Sequence, residues 1–119
     1  MNSKPEELRA RTKAFALRIV RLFRALPPAT DAQVMGRQLL RSGTAVAANY
    51  RAAGRARSKA EFGAKIGVVV EEADETVFWL EMLADAGILR SERLRPLLAE
   101  ANELLAIFAA SQRTARSGR

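Results

Sequence analysis

Apolar residues recur in this chain at the three- and four-residue spacing of a helix face, and the pattern repeats in four segments. The first segment shows separations of 7, 4, 3 and 4 positions between its main apolar residues, Leu8, Phe15, Ile19, Leu22 and Leu26. This spacing places them on one stripe of an amphipathic helix. We therefore predict a first helix from about Pro5 to Leu26, stopped by Pro27 and Pro28.

The second segment predicts a helix capped by Thr30 or Asp31 and extending to about Ala53, with Gly54 at its end. Gly43 and the neighbouring alanines keep the middle of this helix thin, so another helix can approach closely. Its predicted core-facing residues are Met35, Leu39, Val46 and Tyr50.

The third segment starts at an S-x-x-E capping box, Ser58 to Glu61, and extends to about Asp85, before Gly87. Its core face comprises Phe62, Ile66, Val69, Ala73, Thr76, Leu80 and Leu83. A second, mixed face comprises Val68, Glu72, Glu75, Trp79 and Met82. Because a helix with two semi-apolar faces usually touches more than its own bundle, the mixed face predicts a closed homo-oligomer.

The fourth segment opens at Ser91, carries Pro96 where a first turn tolerates it, and shows a regular leucine stripe. The chain offers no strand candidate, because its one β-branched cluster, residues 68–70, lies inside a helical period. Four helices with short connections predict an all-α, antiparallel up-down-up-down four-helix bundle. We expect one domain over residues 1–112 and a flexible basic tail over 113–119.

Charge is divided unevenly along the chain, whose net charge is +7. Residues 1–57 contain 12 Lys/Arg and 3 Asp/Glu, residues 58–87 contain 2 and 7, and residues 88–119 contain 6 and 3. The three parts therefore carry +9, −5 and +3. A basic chain favours acidic partners, with nucleic acid first among them.

Four arginines of the second helix project within about 40° of one line at 100° per residue. They are Arg37, Arg41, Arg51 and Arg55, and the basic face of the first helix adds Arg18 and Arg21. Such a surface predicts contacts with the phosphates of a nucleic acid, without base stacking, because no aromatic side chain is interleaved. The alternative is a solvated face whose arginines partly pair with the acids of the third helix, and both interpretations remain open.

Residue types that support catalysis or metal binding are scarce in this sequence. The chain has neither cysteine nor histidine, so it lacks thiolate ligands, the commonest metal ligand and the usual general base. Its first residues show no apolar signal region and no segment approaches membrane length. We expect no enzyme activity, no cofactor, no metal and no membrane association, and a cytoplasmic location.

The acidic block of the third helix is interpreted as structural rather than as a metal or acid–base site. Glu71 and Asp74 are predicted to face water, and Glu72 and Glu75 to pair with arginines of the second helix beside Trp79. Asn49 lies on the flank of an apolar face of the second helix. It either specifies the register of a helix contact or is simply exposed.

Two blocks of the sequence resemble a known family. Residues 38–62, QLLRSGTAVAANYRAAGRARSKAEF, and 71–84, EEADETVFWLEMLA, are similar to the bacterial four helix bundle protein family. That family includes the S23-type proteins encoded in intervening sequences of ribosomal RNA genes and the accessory variability proteins of retroelements. One departure is Ala52, where relatives often carry Glu.

The resemblance implies a four-helix protomer that forms a ring-like homopentamer with a basic, nucleic-acid-binding surface. In the retroelement branch it also implies a reverse transcriptase as partner. Our leading hypothesis is a non-enzymatic, oligomeric protein that binds nucleic acid, RNA first, through its arginines. The alternative is a protein-interaction or assembly scaffold.

Overall fold

The computed structural model describes residues 3–117 and contains four α-helices within them. They are α1 (Lys4–Arg24), α2 (Thr30–Ala53), α3 (Lys59–Asp85) and α4 (Ser91–Arg116). None of the described residues belongs to a strand. The three connections fall at residues 25–29, 54–58 and 86–90, so the four predicted elements and their turns are confirmed.

Helices α1 and α3 begin at a serine cap, whereas α2 begins without a side-chain cap. Ser3 Oγ accepts a hydrogen bond from the Glu6 N–H at 3.2 Å, and Ser58 Oγ accepts one from the Glu61 N–H at 3.0 Å. The predicted serine cap of α3 is therefore confirmed. The predicted cap of α2 by Thr30 or Asp31 is wrong, because the extended backbone of Ala29 starts that helix without a side-chain cap.

Helix α4 continues to Arg116, four residues beyond the domain boundary predicted at 112. The last turns lie against two glycines of α3, where little separates the helices. A Cβ on Gly63 would lie 3.5 Å from the Cβ of Ala115, and one on Gly67 would lie 3.3 Å from Gln112 Nε2. Helix α4 therefore continues through a polar sequence, because its last turns pack against α3. Residues 118 and 119 of the predicted tail lie outside the described residues.

Each helix packs on its neighbour in the chain, and α1 and α4 close the bundle with a looser contact. The glycine predicted to thin α2 lies at the α1 crossing, where a Cβ on Gly43 would be 2.8 Å from Ile19 Cγ1. The fully buried side chains come from all four stripes and include Phe15, Ile19, Leu39, Val46, Ile66, Leu80, Leu104 and Phe108. The core stripe of α3 is confirmed except at Phe62, which is 37% exposed at the start of the helix.

Candidate functional site

Arg41 on α2 pairs with two carboxylates of α3. Its Nη1 donates to Glu72 Oε1 at 3.1 Å, and its Nη2 donates to Glu75. The pairing between the acids of α3 and an arginine of α2 is thus present within one chain, as the sequence predicts. Hydrogen bonding to Glu75 raises the pKa of Arg41, and the bond from Arg41 lowers the pKa of Glu75.

The polar groups of the mixed face of α3 are satisfied inside the protomer. Trp79 Nε1 donates to Glu75 Oε2 at 3.1 Å, while its ring packs against the core and meets Phe78 edge-on at 4.8 Å. Asn49 Nδ2 donates to the carbonyl of Ala45 in its own helix at 2.9 Å. These residues therefore have structural roles that do not require a neighbouring protomer.

A basic groove lies between α1 and α2, with a volume of about 820 Å³. Its lining cations are Arg9 and Lys13 of α1, Arg51 of α2, and Arg55 of the turn that follows α2. Among residues 3–117, no acid lines this groove and none of these four cations takes part in an ion pair. No acid within residues 3–117 therefore neutralises their charges.

Small side chains form the floor of the basic groove. It consists of Ala10, Thr44, Ala47, Ala48 and Gly54. Gly54 lies beside a cation, since a Cβ placed on it would be 3.6 Å from Arg9 Nη1. The Thr44 hydroxyl donates to the Leu40 carbonyl at 2.7 Å. An extended anion can therefore approach the helix backbones closely while cations stand on both sides of it.

The structure divides the predicted arginine line between two environments. Arg51 and Arg55 enter the basic groove, whereas Arg41 turns to α3. Arg37 is exposed on α2. It lies about 21 Å along the helix axis from Arg51. Two of the four arginines thus form the site, one is exposed outside it and one is neutralised.

The basic face of α1 is divided as well. Arg11 donates to Glu100 at 2.7 Å and lies 3.0 Å from Glu103, which ties α1 to α4. These bonds raise the pKa of Arg11, and Arg11 lowers the pKa of Glu100, with a smaller contribution from the charge of Arg18. Arg18 lies seven residues after Arg11, on the same face of α1, and does not line the basic groove.

Among the helix-one candidates, Arg21 is exposed and does not line the basic groove. Sequence reasoning missed Arg9 and Lys13 as groove residues. Their signal is the four-residue spacing that places both on one face of α1. Which cations lie across the groove from them follows only from the antiparallel packing of α1 and α2.

Within residues 3–117 no group of three or more acidic side chains is arranged to hold a metal ion. Over the same range, no helix has both the length and the apolar character needed to cross a membrane.

The fold and the groove define a small, all-helical bundle protein with a concentrated cationic surface. Residues 6–110 match the model of the 23S rRNA-intervening sequence protein family, and the chain belongs to that family. A solved structure of a protein with unknown function from the S23 ribosomal protein family, from Bacteroides thetaiotaomicron, is 32% identical in sequence. The match covers 93% of this chain and 99% of that one, with a TM-score of 0.86. No curated protein matches.

Proposed function

We propose that this protein binds nucleic acid, RNA first, through phosphates seated in the basic groove. The observation that carries the proposal is the convergence of four unpaired cations, Arg9, Lys13, Arg51 and Arg55, around a floor of small side chains. Guanidinium groups recognise phosphate oxygens with paired N–H donors, and lysine adds a mobile point charge. Helix α1 holds two of the side chains on one side of the groove, and the end of α2 with the turn after it holds the other two.

The groove has dimensions that suit a phosphate backbone. Its α2 lining runs from Thr44 to Arg51, which is about 10 Å along the helix axis, and Gly54 and Arg55 of the following turn extend it. Successive phosphates of a strand in a duplex rise by about 3.4 Å, so several of them fit along this length. No aromatic residue lines the groove. Binding is therefore insensitive to base sequence and driven by the release of counterions.

RNA is the ligand to test first because the family takes its description from an intervening sequence of 23S rRNA. A binding role without catalysis accords with a chain that contains no histidine or cysteine.

The cytoplasmic location, the five-fold assembly and the reverse transcriptase partner expected above stay predictions. The scaffold alternative is favoured by one observation, an apolar groove at the end of the bundle.

Fluorescence anisotropy with labelled single-stranded RNA, duplex RNA and DNA at several salt concentrations tests the proposal. The variant Arg51→Ala/Arg55→Ala removes two groove cations. Affinity falls as salt rises, and each lost phosphate contact should make the slope of log affinity against log salt shallower by about 0.7 for single strands or 0.9 for duplexes. The slope of the double variant should therefore be shallower by about 1.4 for single strands or 1.8 for duplexes. This change should be the same for all base sequences.

The matched control is Arg93→Ala/Arg95→Ala, which removes the same charge from two exposed positions at the start of α4. It should change the slope far less, because those positions lie outside the basic groove. Equal losses in both variants would show that overall charge, and not the groove, binds the ligand. Affinity that does not depend on salt would overturn the proposal.

A further inference from the structure

An apolar groove of about 950 Å³ opens at the end of the bundle where α1 and α3 begin and α2 and α4 end. We call it the end groove, and each helix gives it one larger apolar side chain: Leu8, Tyr50, Phe62 and Ile107. Phe62, which the sequence places in the core, is instead partly exposed in it. The volume lies within the range of about 300–1,000 Å³ that small-molecule sites occupy. The end groove therefore has the size and the lining of a ligand site.

Positive charge borders the apolar lining of the end groove. Lys4, Arg57 and Lys59 line it and are exposed, and no acid within residues 3–117 lines it. Of these three cations only Arg57 has an ion pair among the described residues, an exposed one of little strength in which its Nε lies 3.9 Å from Glu61. The positive N-termini of α1 and α3 lie at the same end of the bundle. The end groove therefore favours an anion over a neutral or cationic group.

Tyr50 places an unpaired hydroxyl in the end groove. The residue is 8% exposed, and its ring packs on Phe108 with the ring centroids 4.9 Å apart. The other lining hydroxyls, those of Ser58, Ser111 and Thr114, are bonded to backbone groups of their own helices. The Tyr50 hydroxyl has no hydrogen bond within residues 3–117, yet no polar side-chain atom of that range is both enclosed and unpaired. It therefore opens into the end groove.

The Tyr50 hydroxyl is available as a hydrogen-bond donor. Burial raises the pKa of Tyr50, and the nearby charge of Arg9 offsets only part of that rise. The phenol therefore keeps its proton at neutral pH. A recessed donor without a partner in the protein gains free energy when a bound group accepts its hydrogen bond. The structure thus offers one fixed polar contact within a mainly apolar site.

We infer that the end groove binds a small amphipathic anion, an aliphatic monocarboxylate. Its alkyl chain lies against Leu8, Phe62 and Ile107, its carboxylate accepts the hydrogen bond of Tyr50, and the bordering cations attract its charge. A single negative charge suits the site, since a mainly apolar lining penalises each further charge that loses water. Because Tyr50 is recessed, a narrow chain suits its hydroxyl better than a partner helix about 10–12 Å wide.

The end groove and the basic groove are separate sites, because no residue lines both of them. Tyr50 lines the first, while its neighbour Arg51 lines the second. Carboxylate binding in the end groove therefore does not depend on the nucleic-acid binding proposed above. Either can fail without the other.

Calorimetric titration of nuclease-treated protein with octanoate, decanoate and dodecanoate tests the inference. Each methylene added within the groove should tighten binding by about four-fold. The matched ligands 1-decanol and decyltrimethylammonium have the same chain with a neutral or a positive head, and both should bind more weakly than decanoate. Amide resonances that shift with decanoate should lie in residues 4–8, 56–62 and 107–115, around the lining of the end groove.

Two variants separate the hydroxyl from the cations. Tyr50→Phe should weaken decanoate binding by about ten-fold or more, the effect of losing a hydrogen bond to a charged group. It should not lower stability, since the hydroxyl has no partner within residues 3–117. Lys4→Gln/Lys59→Gln changes two exposed positions and should weaken decanoate but not 1-decanol. Circular dichroism verifies that both variants remain helical.

Two controls locate the ligand. Arg93→Gln/Arg95→Gln removes the same charge as the lysine variant from exposed positions outside both grooves, and Arg51→Ala/Arg55→Ala alters only the basic groove. Both should bind decanoate like the wild type. A loss in either control as large as in Tyr50→Phe would overturn the inference. So would the absence of saturable binding of all three carboxylates, or equal affinities for decanoate, 1-decanol and decyltrimethylammonium.

Discussion

Arg41 on α2 is held by Glu75 on α3, and the same carboxylate accepts the indole N–H of Trp79. Arg41 shares a helical line with Arg51 and Arg55, yet only the latter two line the basic groove. The α2–α3 contact therefore decides which cations of the line remain unpaired. The distribution of charge available to a ligand is a property of helix packing as much as of sequence.

Releasing Arg41 should strengthen nucleic-acid binding. In Glu72→Gln/Glu75→Gln the guanidinium loses both charged partners, so one more cation can contact phosphate. The salt slope should steepen by about 0.7 to 0.9. Unfolding in urea should show a cost of about 1 kcal/mol or less, because exposed ion pairs contribute little. Glu7→Gln/Glu92→Gln removes equal charge from exposed acids elsewhere. An equal or greater steepening in that control would contradict the role given to Arg41.

Removing the other pair of arginines should have a smaller effect than removing the groove pair. Arg37→Ala/Arg41→Ala takes away one exposed cation and one that is already paired. We expect affinity to fall equally for all base sequences, and by less than in Arg51→Ala/Arg55→Ala. Anisotropy titrations of both variants at one salt concentration check this order. The reverse order would place the phosphate contacts outside the basic groove.

Gly43 should tolerate no side chain, because an added Cβ would lie 2.8 Å from Ile19 Cγ1. We expect Gly43→Ala to lower the free energy of unfolding by about 1–3 kcal/mol, the usual cost of overpacking. Gly63→Ala is the matched control, since its Cβ meets Ala115 at 3.5 Å, an ordinary contact. It should be neutral or stabilise by up to about 1 kcal/mol through helix propensity. Urea denaturation of both variants measures the difference.

Stability should fall in acid through Glu75 and Glu100. Hydrogen bonds from Arg41 and Arg11 respectively lower the pKa of these carboxyls below the ordinary value of 4.5. The unfolded chain therefore binds more protons than the folded one just below pH 4.5, so stability increases with pH there. The contribution is complete above that pH and is lost as pH falls through the lowered values.

Urea midpoints measured from pH 8 to pH 3 check this dependence. The chain contains no histidine, so we expect little change at neutral pH. Glu75→Gln/Glu100→Gln should show a shallower loss in acid than the wild type. An equally steep loss in the variant would assign the acid transition to other carboxyls.

Trp79→Ala should destabilise the protomer. Truncating a fully buried aromatic costs about 3–5 kcal/mol, and Trp79 is only partly buried, so we expect a smaller loss. Trp79→Phe keeps the ring packing but removes the bond to Glu75, and should cost about 1 kcal/mol. Urea denaturation followed by circular dichroism compares the two. No loss in either variant would mean that neither the packing nor the bond stabilises the fold.

The sequence alone determined the four helices, the three turns and the serine cap of α3. These features depend on local spacing and local hydrogen bonds, which a pattern of apolar residues, prolines and a capping box records directly. The start of α2 and the end of α4 were predicted less well. Ala29 caps through its backbone, and the polar last turns of α4 are supported by glycines of α3.

Only the tertiary structure decided which charges are available. Arg41 and Arg51 flank the same predicted line on opposite sides, and α3 presents Glu72 and Glu75 to the first, while α1 presents Arg9 and Lys13 to the second. The partner of a side chain depends on the neighbouring helix and on its register, which are non-local. The sequence therefore determined that this chain is a basic helical bundle, and the packing of its helices decided where its unpaired positive charge lies.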